Sequence, residues 1–421
     1  MTTSVPSTAP RSLWQDLTHP AVVVGALGYF VDIYDLTLCM AVKSVSYDSF
    51  QIKGELVWYA DPMNWQMMGM LLGGIFFGVL GDRLGRLATL FGSILLYSLA
   101  NIANGFAPTM EFYSACRFVA GIGLAGELGG CIALVSEVLS KERRGYGTAL
   151  VAAVGVMGAV AAGFVAELVS WRTNYIIGGI LGLCLLVTRL SVKESGMFNH
   201  AKTITGKGIV ARGNFFALFT NANRLKRYLQ CIAIGFPTWF MIGILVLKAE
   251  RVFAPLLGIA EIKTNRAVAL FYLGLTFGDL MSGFASQWAK SRKKIVAGFL
   301  IFSALCGIVF LYGSNHWTSA QFYLLVFVMG LSMGYWAVFV TIAAEQFGTN
   351  LRATVATTVP NFVRGSLVIM SFAFGFLNQS GLRETSSALI LGVVCFGLAF
   401  WALQGMEETY GKDLNYQERE A

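Results

Sequence analysis

Gly78-Val79-Leu80-Gly81-Asp82-Arg83-Leu84-Gly85-Arg86 is a short charged turn set between two apolar runs, 63–81 and 87–106. Each run is about 20 residues, the length a helix needs to cross the bilayer, where every backbone group must bond within its own segment. The turn therefore marks a point where the chain leaves the lipid. Working outward in both directions finds ten more runs of this kind: 21–42, 112–138, 146–169, 174–192, 228–248, 265–289, 295–313, 319–345, 354–378 and 385–404. Composition agrees. Only 13% of the 421 residues are charged and 56% are hydrophobic, against about 25% charged in a soluble domain. Disorder, collagen, coiled coil and a secreted disulfide scaffold are excluded. All seven cysteines fall inside apolar runs and none forms a CxxC. The first run, 21–42, is too long for a signal-peptide core and lacks a small-residue cleavage site.

Charge sets the orientation. With the N-terminus inside, the cytoplasmic segments hold 20 Lys and Arg, and the outer loops together with the span-end residues Lys248 and Arg266 hold 8, which places both termini in the cytoplasm. The chain then divides into a tail, 1–20, a six-span half, 21–192, a basic linker, 193–227, a second six-span half, 228–404, and a closing tail, 405–421. The halves echo each other. Glu137 is followed by Arg144 and Glu345 by Arg352, at the cytoplasmic end of the fourth span of each half and 208 residues apart. That recurrence predicts a duplicated six-helix unit.

The turn from Gly78 to Arg86 resembles the G-x3-D-R-x-G-R signature of the major facilitator superfamily, with Leu87 where many members carry a further basic residue. Its second-half equivalent, Gly283 through Gln287 to Arg292-Lys293-Lys294, is degenerate. Tyr34-Asp35 is similar to the end of the G-Y-D run of sugar porters, and Arg117-x3-Gly121-x-Gly123 followed by Glu137 resembles the fourth span of proton-coupled sugar and metabolite symporters. Lys193-Glu194-Ser195 and Glu408-Thr409-Tyr410-Gly411 resemble their P-E-S and E-T-K-G runs. The resemblance implies an all-α membrane protein of twelve transmembrane helices in two six-helix lobes, multi-pass in the cell membrane, with a bacterial inner membrane expected. It implies a monomer driven by the proton gradient, with no cofactor and no metal. Its partners would be protons, a small-molecule substrate and the lipid bilayer, with no nucleic acid. Two features depart from it. Span 7 lacks the Gln-rich sugar-binding run, and span 5 has Gly158-Ala159 through Gly163 where drug antiporters have G-P-x-x-G-G.

Ionisable residues inside spans cost at least about 2.5–3.5 kcal/mol each, so each needs a partner or an aqueous cavity. Asp32 and Asp35 lie near the middle of span 1, at i and i+3 on one face. At least one is a candidate proton site; the other reading is a structural cap or pair. The resemblance implies an Asp35–Arg117 pair that protonation breaks, although Arg117 could instead snorkel outward. Glu127, farther along span 4, is a second proton or cation site or a helix–helix anchor. Arg364, beside Pro360-Asn361 in span 11, suits capture of a carboxylate or phosphate; its alternative is an ion pair with Glu127, Asp279 or a span-1 Asp. Asn361, Tyr34, Trp239, Tyr335, Trp336 and Asp279 complete the candidate substrate site, with packing as the competing role of the aromatics. His19, His200 and His316 lie outside the spans.

The family implies that Gly78, Asp82, Arg83, Gly85, Arg86, Glu137, Arg144, Glu345 and Arg352 form an interlobe gate on the cytoplasmic side. The favoured function is proton-coupled import of a small polar, anionic metabolite by alternating access. The alternative is a proton-coupled exporter of cationic compounds, or of a divalent metal with Asp32 and Asp35 as oxygen ligands. No HExxH, GxSxG or Walker A motif points to an enzyme.

Overall fold

The structure, a computed structural model, describes residues 12–51, 61–140, 143–189, 211, 213–259, 262–313 and 317–419. Among the described residues, ten segments are long and apolar enough to cross a membrane. Two further spans bring the bundle to twelve: Arg86–Gly105, and a helix in two pieces, Met110–Leu124 and Glu127–Val138. In chain order, spans 1 to 6 are Pro20–Ala41, Pro62–Leu84, Arg86–Gly105, Met110–Val138, Arg144–Leu168 and Trp171–Arg189. Span 7 is Ala222–Trp239 continued by the π-helical Phe240–Val246. Spans 8 to 12 are Thr264–Trp288, Arg292–Tyr312, Ser319–Glu345, Arg352–Gln379 and Glu384–Gly405.

Local chemistry starts and stops these helices. Asp61 caps span 2 by accepting from the Met63 N–H, with Pro62 at the first position, where its missing N–H costs nothing. Ser291 and Thr318 cap spans 9 and 10 in the same way. Gly85 turns the chain between spans 2 and 3 at φ +116°, a conformation L side chains avoid. Asn221 accepts from the Asn223 and Arg224 N–H groups and so starts span 7 at Ala222, inside the stretch the sequence assigned to the linker. The rest of that linker, apart from 211 and 213–221, lies outside the described residues. Pro237 removes a backbone donor within span 7, and the widened Phe240–Val246 turn follows it.

Small residues let the helices touch. An added Cβ on Gly69 or Gly73 of span 2 would stand 2.2 Å from the carbonyl oxygens of Phe118 and Ile122 in span 4. The second half repeats the device, with Gly274 and Gly278 of span 8 against the carbonyls of Phe327 and Leu331 in span 10. The same two helices break at matching places. Span 4 stops at Leu124 and resumes at Glu127, and span 10 stops at Ser332 and resumes at Trp336. These stops are 208 residues apart, the offset that separates Glu137 from Glu345. Across the interface of the halves, span 2 packs on span 11 and span 5 on span 8. Large apolar side chains such as Phe76, Leu99, Phe164, Ile301 and Trp401 are exposed on the outside of the bundle, the surface lipid would cover.

Candidate functional site

Between the halves, spans 1, 5, 7, 8, 10 and 11 enclose a central cavity of about 20 Å³, room for about one water. Span 1 contributes Tyr29, Ile33 and Leu36, an i, i+4, i+7 stripe. Trp239, Phe271, Tyr272 and Trp336 supply four more aromatic or apolar walls, and Arg364 is the one charged side chain among the described lining. Arg364 is 1% exposed. Its Nη1 donates to Asn361 Oδ1 at 3.2 Å and its guanidinium lies 5.9 Å from the Trp336 ring. Its Nε is a buried donor with no hydrogen-bond partner among the described residues. Trp239, Trp336 and Arg364 thus share one cavity, as a substrate site requires. Tyr29, Phe271 and Tyr272 escaped the sequence reading, although the span-1 stripe was visible as a helical period.

The other candidate substrate residues do something else. Asp279 Oδ1 accepts from the Ala337 N–H at 2.9 Å and so caps the second piece of span 10. The Tyr335 hydroxyl donates to the Ile234 carbonyl at 2.9 Å, tying the break to span 7. Asn361 Nδ2 donates to the carbonyls of Ala125 at 2.8 Å and Thr357 at 2.7 Å, which mends the break in span 4 from the opposite lobe. A helix interrupted in lipid leaves backbone groups orphaned, and polar side chains of neighbouring spans satisfy them.

Asp35 turns away from the cavity into the N-terminal lobe. A Cβ on Gly178 of span 6 would meet its Oδ1. Arg117 is fully buried rather than snorkelled. It donates through Nη2 to Asn101 of span 3, which also neighbours the Asp35 carboxyl. Asp35 thus neighbours both Arg117 and Asn101, while its carboxyl oxygens make no hydrogen bond among the described residues. Arg117 stacks 4.3 Å from the Tyr175 ring, and Tyr175 shares a 2.8 Å hydrogen bond with Tyr113. A desolvated cation–π contact of this kind contributes about 2 kcal/mol or more. Tyr34 donates to Asn174 Oδ1 and packs in a core cluster with Tyr113, Trp171 and Tyr175, not on the described cavity wall. Asp32 acts electrostatically on Tyr29, a cavity residue, so the two span-1 acids serve different surroundings. Glu127 accepts from the Cys131 thiol at 3.3 Å within its own helix.

On the cytoplasmic side the lobes meet. Asp82 accepts from the N–H groups of Ala353 at 3.1 Å and Thr354 at 2.8 Å, and from the Thr354 hydroxyl at 2.7 Å. A carboxylate of one lobe therefore caps the span-11 helix of the other, whose own N-cap, Leu351, offers no side-chain bond. The aligned peptide dipoles favour a negative charge there. Gly78 permits the approach, since its Cβ would stand 3.0 Å from Thr354 Cα. Thr341 also donates to Thr148 at 3.1 Å across the interface. Gly213, at φ +62°, donates to Asn350 and lies against Val79 and the exposed Arg83, so the linker crosses the same junction. Glu345 is held by Arg292 through two bonds of 2.7 and 2.8 Å, with both side chains buried. Both residues of that pair belong to the C-terminal lobe, and the sequence left Arg292 in a degenerate loop. Arg352 donates to the carbonyls of Ala344 and Leu414. The side chains of Arg86, Glu137 and Arg144 lie outside the described residues.

The C-terminal tail fastens this side. Burial pushes the Glu408 carboxyl up. Hydrogen bonds from the Ser291 hydroxyl and the backbone N–H groups of Tyr410, Arg292 and Lys293 outweigh that, and hold it below its ordinary value. Glu418 pairs with Arg227 at 3.0 Å. On the outer side, by contrast, the ends of spans 2, 7 and 11, with Lys43 just beyond span 1, line a vestibule of about 510 Å³.

Two halves built alike, meeting around a shared cavity and bonded to each other on the cytoplasmic side, define a membrane transporter. The Major Facilitator Superfamily profile matches residues 25–359, and the chain belongs to that superfamily. The gentisate transporter of Corynebacterium glutamicum is 24% identical over 401 residues, 93% of this chain and 88% of that protein. Low affinity inorganic phosphate transporter 4 of Petunia hybrida is 24% identical over 489 residues, covering 96% of this chain and 92% of its own. A solved proton:xylose symporter of the superfamily, bound to 6-bromo-6-deoxy-D-glucose, has the same fold, with TM-score 0.74 and 15% identity over 94% of this chain and 97% of that one.

Proposed function

We propose that this secondary transporter imports a small organic anion, best fitted by an aromatic carboxylate, together with protons. The observation that carries the reading is Arg364, a buried guanidinium with an unused Nε donor facing a cavity walled by Tyr29, Trp239, Phe271, Tyr272 and Trp336. A carboxylate would take charge-assisted bonds from the guanidinium, while its ring stacks on the aromatic walls. The relatives support an anion, since gentisate is an aromatic carboxylate and phosphate an inorganic one. Export of a cation gains no support from a cavity whose charged wall is an arginine. Asp32 and Asp35 also serve different surroundings, unlike a shared oxygen-ligand set.

Protons would bind at Asp35. Ionised, it attracts the Arg117 guanidinium; protonated, it releases that hold, and the lobe can change its packing. Substrate neutralises Arg364 at the same time. Their differential affinity for the two states drives the rocking that parts Asp82 from span 11.

Gentisate uptake into proteoliposomes under an inward proton gradient tests this. Accumulation should disappear when the gradient is collapsed. Arg364→Ala should weaken gentisate binding about 10- to 100-fold, the loss of one or two charge-assisted bonds. Binding that survives Arg364→Ala unchanged, or accumulation indifferent to the gradient, overturns the corresponding half of the reading. Phosphate should compete poorly, because it offers nothing to the aromatic walls.

A further inference from the structure

A central cavity of about 20 Å³ admits no ring as it stands, so the seats of its walls decide what can enter. Tyr29 lines it from span 1 and Val156 from span 5. Behind Tyr29 lies Gly155. An added Cβ there would stand 2.0 Å from Tyr29 Cδ1 and 2.5 Å from its Cγ, and its three nearest atoms all belong to that ring. Gly158, one turn further on and about 4.5 Å along the axis, is a different case. A Cβ there would stand 2.0 Å from the Phe30 carbonyl oxygen and 2.8 Å from the Tyr34 nitrogen, both backbone. Gly158 therefore sets how closely spans 1 and 5 approach, whereas Gly155 sets where one side chain lies. On its other side, the Tyr29 hydroxyl faces the Trp336 side chain, and Arg364, Asp32 and Asp279 act on it electrostatically. Trp336 and Arg364 are walls of the same cavity. The Tyr29 ring is thus held between span 5 of its own lobe and the substrate walls of the other.

We propose that Gly155 is a specificity-determining position: its missing side chain lets Tyr29 lie back against span 5, and that setback fixes the width of ring the central site admits. This deepens the reading of the site as one for an aromatic carboxylate and rests on it. Gly155 is a positioning residue that acts through Tyr29 alone. With a methyl at 155 the Tyr29 ring must leave span 5, and the space it moves into is the cavity. With a smaller side chain at 29 the site widens instead and takes a carboxylate carried on two fused rings.

The test is calorimetry of gentisate and 1-hydroxy-2-naphthoate, one ring and two, on the full detergent-solubilised chain. Gly155→Ala should weaken gentisate binding about 5- to 100-fold, the cost of one overpacked methyl group. Tyr29→Leu should raise the affinity ratio of naphthoate to gentisate about 10-fold. In the Tyr29→Leu background the same Gly155→Ala change should cost gentisate less than about 2-fold, because the ring it strikes is gone. It should still lower the naphthoate ratio about 3-fold, since the methyl takes back space that only the second ring uses. A purely structural role would weaken both ligands alike, and additively. Gentisate binding indifferent to Gly155→Ala, or an equal loss with Tyr29→Leu present, overturns the proposal while the Arg364 site stands. Should Gly155→Ala alone not survive extraction, the ratio in Tyr29→Leu against that in the double variant decides, and an unchanged ratio overturns it. If the wild-type chain binds neither ligand, the aromatic-carboxylate reading fails. A solved structure of Gly155→Ala then decides the setback by itself: the Tyr29 ring moved off span 5 into the cavity supports it, and an unmoved ring overturns it.

Discussion

Asp35, Asn101 and Arg117 form a buried acid, amide and base in one lobe, apart from the cavity where Arg364 waits. Separation of this kind makes a clean prediction. Asp35→Asn should abolish proton-driven accumulation of gentisate yet leave exchange of labelled for unlabelled gentisate running, measured as counterflow. Loss of counterflow as well would place Asp35 in substrate binding instead. Arg292 and Glu345 are a different case, a buried pair with a structural task. Arg292→Ala removes both bonds that Arg292 gives the buried Glu345 carboxylate, and should lower unfolding stability by about 3–5 kcal/mol. Replacing both partners by Met and Leu should recover most of that loss in a thermal melt of the detergent-solubilised protein.

The elements of this fold are continuous where they meet lipid and interrupted where they meet each other. Spans 4 and 10 break at equivalent positions, and the orphaned backbone groups are taken by Asn361 and Asp279. Asp279→Ala removes a helix cap inside the bundle, which costs about 1–2 kcal/mol at ordinary sites. Close helix crossings are just as exposed to single changes. Gly73→Val would drive a side chain into the Ile122 carbonyl and should prevent spans 2 and 4 from packing, seen as loss of folded protein after extraction. The C-terminal tail has a pH signature. Because the Glu408 carboxylate sits below its ordinary 4.5, the stability it contributes is complete above that value and is lost as pH falls through the lowered one. Melting of the wild type should therefore fall in acid more steeply than that of Glu408→Gln; equal slopes would remove Glu408 from the latch.

For the whole molecule, the asymmetry between its two sides matters most. The cytoplasmic side is closed by Asp82 on the span-11 helix end and by Thr341 on Thr148, while the outer side opens into the vestibule. Asp82→Ala removes three hydrogen bonds that join the lobes in this arrangement. It should shift the population toward the inward-open state, read as faster labelling of a cysteine placed at Ala353 from the cytoplasmic side. Unchanged labelling would mean the cap contributes nothing to gating.

Apolar run length, the Lys and Arg bias and the Gly78–Arg86 turn determined the class, because lipid allows a chain only a few ways to satisfy its backbone. Arg364 was also legible, as an ionisable residue that costs too much in lipid to be idle, and Trp239 and Trp336 were candidates only as mid-span aromatics in helices that line the family's cavity. What sequence could not supply was which side each face of a helix would see. Asp32 and Asp35 sit one turn apart yet serve different surroundings, and Tyr34 binds Asn174, 140 residues away. Glu345 takes as a partner Arg292, 53 residues away, which no spacing in the sequence suggested. Those outcomes depend on helix rotation and on the breaks in spans 4 and 10, which packing across the two lobes decides and no local pattern encodes.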